Sequence, residues 1–377
     1  MNPKIKLLLA GCLALALASC RKDAKPIPEV VTTLLPPNPN SSIKGMYVLN
    51  EGNMGSNKAS LDYLNYPTGQ YQKNIYGQVN PQITLGLGDV GNDVQVYGSK
   101  LYVVVNNSNK VEVLNAKTSV RITQVNITNC RNVIFNNGKA YVSAYLGVVG
   151  DPKAPNGAVD EIDTATLQIT RTVTVGRQPE EMAIVGNKLY VANSGGYSPP
   201  NYERTVSVVD LTSFTEIKRI DVAINLEKVK ADAYGNLYVT SRGDYYTIPP
   251  DLFVINTNTD TVIKDFGLPV SNLWIDGDIA YLYSVAFSYT TGKNTISYSM
   301  INVKTQTVLN QQFITDGTDK QITVPYGIAV NPVTKEVYVA DAKDYVTPGM
   351  LYCFDPAGKK EWSVITGDIP GHFAFIY

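Results

Sequence analysis

"GRQPEEMAIVGNKLYVANSGGY", Gly176–Tyr197, repeats in outline "VGNDVQVYGSKLYVVVNNSN", Val90–Asn109. Each runs through a polar pair, a short apolar strand, a Gly turn with Lys, then Leu-Tyr-Val and a loop of Asn, Ser or Gly. The central unit recurs along the chain as "KGMYVLN", "GSKLYVVV", "NGKAYVSA", "GNKLYVAN", "YGNLYVTS", "DGDIAYLYS" and "TKEVYVAD". Its tyrosines are Tyr47, Tyr102, Tyr141, Tyr190, Tyr238, Tyr281 and Tyr338, spaced 55, 39, 49, 48, 43 and 57 residues apart. A second strand with a Thr- or Gly-bearing turn follows each unit, as in "KVEVLNAKT", "AVDEIDTAT" and "LYCFDPAG", and then another strand, such as "TEIKRIDV". No long amphipathic helical period interrupts them.

Four short strands in a unit of ~40–50 residues, repeated around a ring, are the signature of a β-propeller. The chain is therefore expected to be all-β, with seven blades over residues 43–377. The near-continuous apolar runs fit blades covered on both faces by their neighbours. The C-terminal "PGHFAFIY", Pro370–Tyr377, matches the first strand of the other units ("GNDVQV", "CRNVIF", "PEEMAI", "EKVKAD", "SNLWID", "PYGIAV"), which the first unit lacks. The C-terminus is thus expected to supply the innermost strand of the first blade and so remove an open edge.

Two segments precede the repeats. Residues 1–19 read as a signal peptide: Lys4 and Lys6, then the apolar "LLLAGCLALALAS". "LASC", Leu17–Cys20, resembles a bacterial lipobox, with cleavage before Cys20 and a lipid on its thiol. Residues 20–42 hold five prolines and read as a tether, reaching roughly 60–70 Å if extended like polyproline. This predicts a lipid anchor in the outer membrane, with the body at the cell surface. "RKDAK" after Cys20 lacks the acidic residues of some surface-export signals. Cys130 and Cys353 lie in different repeats and are expected to be buried thiols.

A formal net charge of −1 with no basic stripe argues against nucleic acid as a partner. In a four-stranded meander, the turns between strands one and two are tight and share a face with those between three and four. The opposite face collects the starts of the inner strands and the loops between strands two and three. Those loops are long and unlike one another: "EGNMGSNKA", "YLGVVGDPKAPN", "SGGYSPPNYER", "SRGDYYTIPP", "SVAFSYTTGKN" and "DAKDYVTPG". Variable loops on a rigid scaffold are the usual place for function. They bring Tyr145, Tyr197, Tyr202, Tyr245, Tyr246, Phe287, Tyr289 and Tyr345. The strand starts bring Asn92, Asp93, Arg131, Asn132, Glu180, Glu181, Glu227, Lys228, Asn272, Tyr326 and His372. Aromatic walls around mixed polar groups suit a bulky, largely neutral ligand.

Catalytic groupings are scarce. His372 is the chain's one histidine and lies inside the closing strand, so no Ser-His-Asp or Cys-His set exists without it. Glu180 and Glu181 are adjacent, and neighbours on a regular strand point to opposite sides, which speaks against an acid/base pair. A ring of Asn, Asp and Glu could hold Ca²⁺, but no ligand spacing repeats, and no metal or catalytic residue is assigned.

"GRQPEEMAIVGNKLYVANSGG" is similar to the blade motif of the YncE-like seven-bladed propellers. "MYVLNEGNMGSNKASLDYLN", residues 46–65, with "VYGSKLYVVVNNSNKVEVLNAKT", residues 96–118, resembles a branch of cell-surface lipoproteins from gut anaerobes. Within it, the BtuG-type proteins bind cobalamin and partner a TonB-dependent outer-membrane barrel. The resemblance spans residues 43–377 and implies capture of cobalamin or a related corrinoid as transported ligand, with no resident cofactor and no turnover. The matched residues are scaffold, so the expected site remains the loops and strand starts above. A glycan-binding propeller, a metal-dependent lactonase or lyase, and a protein-protein scaffold are the competing readings.

Overall fold

The computed structural model describes residues 31–149, 151, 153–196 and 198–377. The signal peptide and Cys20 lie outside them, as does Tyr197. The described residues form seven antiparallel sheets, six of them consecutive four-stranded meanders running from the inside outward and one, blade one, drawing its innermost strand from the C-terminus. Blade two shows the pattern: Gly91–Tyr97 innermost, then Lys100–Val105, Lys110–Asn115 and Arg121–Asn126. The inner two strands are mostly buried, whereas the outermost alternates with solvent. That is the burial a strand experiences as it moves from the axis to the rim.

The seven large apolar clusters each lie between two consecutive blades. One joins blades one and two through Tyr47, Leu49, Leu101 and Val103. Another joins blades four and five through Tyr190, Val208, Val229 and Val239. Because each blade needs its neighbour to cover its face, stability propagates around the ring. The repeated tyrosine now has a reason. In four blades its hydroxyl crosses to the next blade's turn between strands three and four: Tyr47 donates to the carbonyl of Ala116 at 3.0 Å and Tyr238 to that of Val303 at 2.9 Å. Tyr190 reaches Asp260 Oδ1 at 2.8 Å, and Tyr338 meets Tyr66 of blade one at 2.8 Å. A phenol supplies both the apolar body for the inter-blade core and a polar tip for an otherwise unpaired carbonyl.

Ring closure is as expected. Pro370–Ile376 pairs with Gly45–Asn50, matching Gly45 to Ile376 and Leu49 to His372. The two long spacings between tyrosines are insertions. A short helix, Ile75–Val79, lies between blades one and two; a 3-10 turn, Thr318–Gln321, lies between six and seven, after an extended hairpin of Ile279–Ser288 with Lys293–Asn302.

The segment expected as tether through residue 42 joins the folded body from Val31. Val31–Thr33 adds a fifth strand to blade one by pairing with Gln70–Gln72. Leu34 and Leu35 pack against the apolar cluster between blades seven and one. The run "VTTLL", residues 31–35, supplies β-branched residues for the edge and two leucines that pack against the core. Cys130 and Cys353 are both free and buried. No helix among the described residues is long and apolar enough to cross a membrane.

Candidate functional site

One end of the ring holds a cavity of about 730 Å³, lined by inner-strand starts and loops between strands two and three. Its floor depends on a recurring irregularity. In six blades the inner strand slips register against its neighbour near its cavity end, as between Gly91 and Asp93, Pro179 and Met182, and Leu226 and Val229. Such bulges re-aim side chains. This corrects the alternation expected for Glu180 and Glu181: with the ladder interrupted between Pro179 and Met182, both line the cavity.

The two carboxylates nonetheless serve different partners. Glu180 is 2% exposed and receives Arg131 through Nε at 3.0 Å and Nη2 at 2.9 Å. Its other oxygen accepts the Tyr145 hydroxyl at 2.5 Å and sits 3.4 Å from Arg242. Glu181 turns to blade five, accepting the backbone N–H of Val229 at 2.9 Å and Lys230 Nζ at 2.6 Å. Arg242 donates from Nε to Glu227 Oε2 at 2.9 Å, and Glu227 lies 3.5 Å from Lys228. Burial alone pushes the Glu180 carboxyl up, yet Arg131 and Arg242 with Tyr145 hold it below its usual range. Burial likewise opposes ionisation of Glu227, but Arg242 and Lys228 bring it down to about 2. Lys228, whose charge burial disfavours, is held above its usual range by Glu227 and Glu181. Across blades three to five the floor is therefore ionised and compensated within itself.

The opposite side, from blades seven and one, carries a second cluster. His372 Nε2 lies 2.8 Å from Glu51 Oε1, and Tyr326 donates its hydroxyl to Glu51 Oε2 at 2.9 Å. Tyr345 meets Tyr326 edge to face at 5.8 Å. Above the floor, blades four to six raise an aromatic wall. Tyr246 stacks on Tyr289 with centroids 5.0 Å apart, and Phe287 and Tyr245 meet Tyr289 edge-on. Both stacked rings are 60% exposed. The backbone N–H of Tyr289 donates to the carbonyl of Tyr245 at 3.1 Å, tying the two loops together. Tyr202 completes the wall, its hydroxyl pushed up by burial and by Asp244.

Of the residues expected from sequence, Asn92, Arg131, Asn132, Glu180, Glu181, Tyr202, Glu227, Tyr245, Tyr246, Asn272, Phe287, Tyr289, Tyr326, Tyr345 and His372 all line this cavity. Two do not. Asp93 is turned into the blade interface, where it accepts the backbone N–H groups of Val94 and Val133 at 2.8 and 2.9 Å. The same bulge that presents Asn92 sends Asp93 inward. Tyr145 is 2% exposed and lies beneath the floor, bound to Glu180 with Arg131 over its ring. Its loop begins too deep for it to reach the mouth.

Sequence reasoning passed over Glu51, Asn106 and Arg242, which also line the cavity. They share a position: each directly follows the second strand of its blade, after Asn50, Val105 and Ser241. Once the repeats are aligned, that column is the signal that could have found them. A Ca²⁺ ring is not what the mouth carboxylates form, since arginines and lysines occupy Glu180, Glu181 and Glu227.

Fold and cavity together define a seven-bladed β-propeller of the ligand-binding type. The chain belongs to a family described as a domain of unknown function, DUF5074, whose profile matches residues 44–366. No curated protein matches it. Among solved structures it is similar to a quinonprotein alcohol dehydrogenase-like protein from Bacteroides thetaiotaomicron, at 17% identity and TM-score 0.61, covering 88% of this chain and 78% of that one. It is also similar to Kuenenia stuttgartiensis hydrazine synthase, at 16% identity and TM-score 0.54, covering 70% and 76%. The computationally designed Ika8 protein matches at 12% identity and TM-score 0.52, covering 88% and 96%. At these identities the likeness concerns the fold alone.

Proposed function

We propose that the chain is a lipid-anchored binding protein that captures cobalamin or a related corrinoid and passes it to a TonB-dependent barrel in the outer membrane. The observation that carries this reading is the composition of the cavity: a floor whose charges are already paired beneath a wall of exposed aromatic rings. The three cations that line it, Arg131, Lys228 and Arg242, are each engaged by a carboxylate of the same floor, so it offers no free positive charge to an anionic ligand. It favours a large body with apolar faces and many hydrogen-bonding groups, and a corrinoid with its fringe of amides has that chemistry. The volume of about 730 Å³ lies in the range of small-molecule sites. Glu180 and Glu227, held ionised by their partners, suit fixed recognition better than proton transfer, which favours capture over turnover. The anchor at Cys20 and the outer-membrane location belong to the same proposal and rest on the lipobox and the family resemblance.

The test is calorimetric titration of cyanocobalamin into the purified full chain. Saturable one-to-one binding is expected. Tyr289→Ala should weaken it about tenfold or more, because a central aromatic contact is lost. The melting temperature should hardly move, since an exposed ring costs about 0.5 kcal/mol or less. Absence of heat with corrinoids, and binding of oligosaccharides instead, would reassign the Tyr246–Tyr289 platform to sugar stacking.

A further inference from the structure

The histidine of the closing strand lines the cavity and keeps one of its two nitrogens without a hydrogen-bond partner among the described residues. His372 lines the cavity with its side chain 16% exposed, and Nε2 is engaged by Glu51 at 2.8 Å. Nδ1 has no hydrogen-bond partner among the described residues and is not fully buried. A neutral imidazole that donates from one nitrogen carries its lone pair on the other. Metal-binding histidines characteristically give their second nitrogen to a carboxylate, which fixes tautomer and ring orientation. Here the carboxylate is itself held, because Tyr326 donates to the other Glu51 oxygen at 2.9 Å. Gly371 makes room for this arrangement. A Cβ at that position would come within 3.1 Å of Glu51 Oε1 and 3.2 Å of the Tyr326 ring.

A single imidazole does not hold a bare ion well, and the neighbouring carboxylates that could assist are spent on arginine and lysine. One ligand suffices when a metal brings its remaining ligands in its own macrocycle. We propose, on the basis of the corrinoid-capture reading above, that His372 Nδ1 is the protein's axial ligand to the cobalt of the bound corrinoid, with Glu51 and Tyr326 as its positioning residues. With aquocobalamin the Nδ1 lone pair forms a Co–N bond as the axial Co–O bond breaks and water leaves. The cobalt oxidation state is unchanged, and the Nε2 proton stays on the ring, hydrogen-bonded to Glu51.

Because the chain contains one histidine, nitrogen-15 labelling of histidine reports on this residue alone. The experiment is electron paramagnetic resonance of the cobalt(II) form of cobinamide, which has no nucleotide base to fill the axial position, bound to the full chain, with and without labelled histidine, together with absorption spectra and affinity for aquocobalamin. Expected are a label-dependent change in the nitrogen hyperfine pattern and a spectral shift of aquocobalamin on binding. His372→Ala should abolish the shift and lower aquocobalamin affinity about tenfold or more. Glu51→Gln, which keeps an acceptor but loses the charge, should weaken binding roughly 10–100-fold while the label signature persists. Unaltered affinity in that variant overturns the positioning role. Cobinamide binding without a label effect overturns axial ligation and leaves capture standing. No binding of any corrinoid overturns both. The labelling arm uses the unmutated protein, so a variant that fails to fold does not blunt the test.

Discussion

Arg242 joins a buried acid to a partly exposed one, reaching Glu180 at 3.4 Å and Glu227 at 2.9 Å. Removing one member of a buried ionic network leaves charges without compensation, at a cost of about 3–5 kcal/mol. Arg242→Ala should therefore destabilise the protein by that order and reshape its acid response. Both carboxylates have folded-state values below the ordinary 4.5, Glu227 near 2. Their contribution to stability is thus complete above about pH 4.5 and is lost as pH falls through the folded values. Without Arg242 those folded values rise, so the acid-induced loss should begin at higher pH. Thermal melts from neutral pH down through the carboxylate range check this, and an unchanged acid limb in the variant would contradict it. At this scale the sequence was partly legible. Polar strand starts pointed to the mouth correctly for most positions, because bulges recur there. Asp93 went the other way because a bulge that exposes one residue buries its neighbour, and Tyr145 because it is buried against Glu180 beneath the floor. Arg242 escaped notice beside the conspicuous tyrosines of its own loop, although the column after the second strand also holds Glu51 and Asn106.

At the level of elements, the Tyr-bearing strand was readable because each blade repeats the same physical demand for an apolar body with a hydroxyl tip. The fifth strand of blade one was not, since a three-residue pairing depends on where the folded edge at Gln70–Gln72 happens to lie. No local period marks so short a contact. Its energetic worth should be measurable. Leu34 and Leu35 donate backbone N–H groups to the Gly69 carbonyl at 2.8 and 3.1 Å, and their side chains are part of the core between blades seven and one. Deleting residues 31–35 should cost about 2 kcal/mol, the scale of burying one large aliphatic side chain. It should also raise hydrogen exchange along Gln70–Gln72, whose outer edge becomes free. An unchanged melting temperature and unchanged exchange would show that this strand only decorates the blade.

For the whole molecule, closure and site assembly are one event. The strand Pro370–Ile376 completes blade one through its pairing with Gly45–Asn50. Its Phe373 enters the core between blades seven and one, while Ala374 and Ile376 enter that between blades one and two. The same strand carries His372 to Glu51. A chain ending at Ile369 therefore loses part of two inter-blade cores and frees the paired edge of Gly45–Asn50 at once. Loss of a buried Phe alone costs about 3–5 kcal/mol, and the remaining losses bring the total to the scale of a domain's entire stability, about 5–15 kcal/mol. The truncated chain should lack a cooperative thermal transition near that of the intact protein. Supplying the peptide Pro370–Tyr377 in trans should restore the transition and ligand binding together, because the peptide brings both the closing strand and the histidine. A peptide carrying His372→Ala should restore the transition but leave aquocobalamin affinity lowered about tenfold or more. Recovery of stability with full aquocobalamin affinity in that last case would separate ring closure from the proposed chemistry of the site, whereas a cooperative melt without any peptide would show that six complete blades and an open seventh are sufficient for the fold.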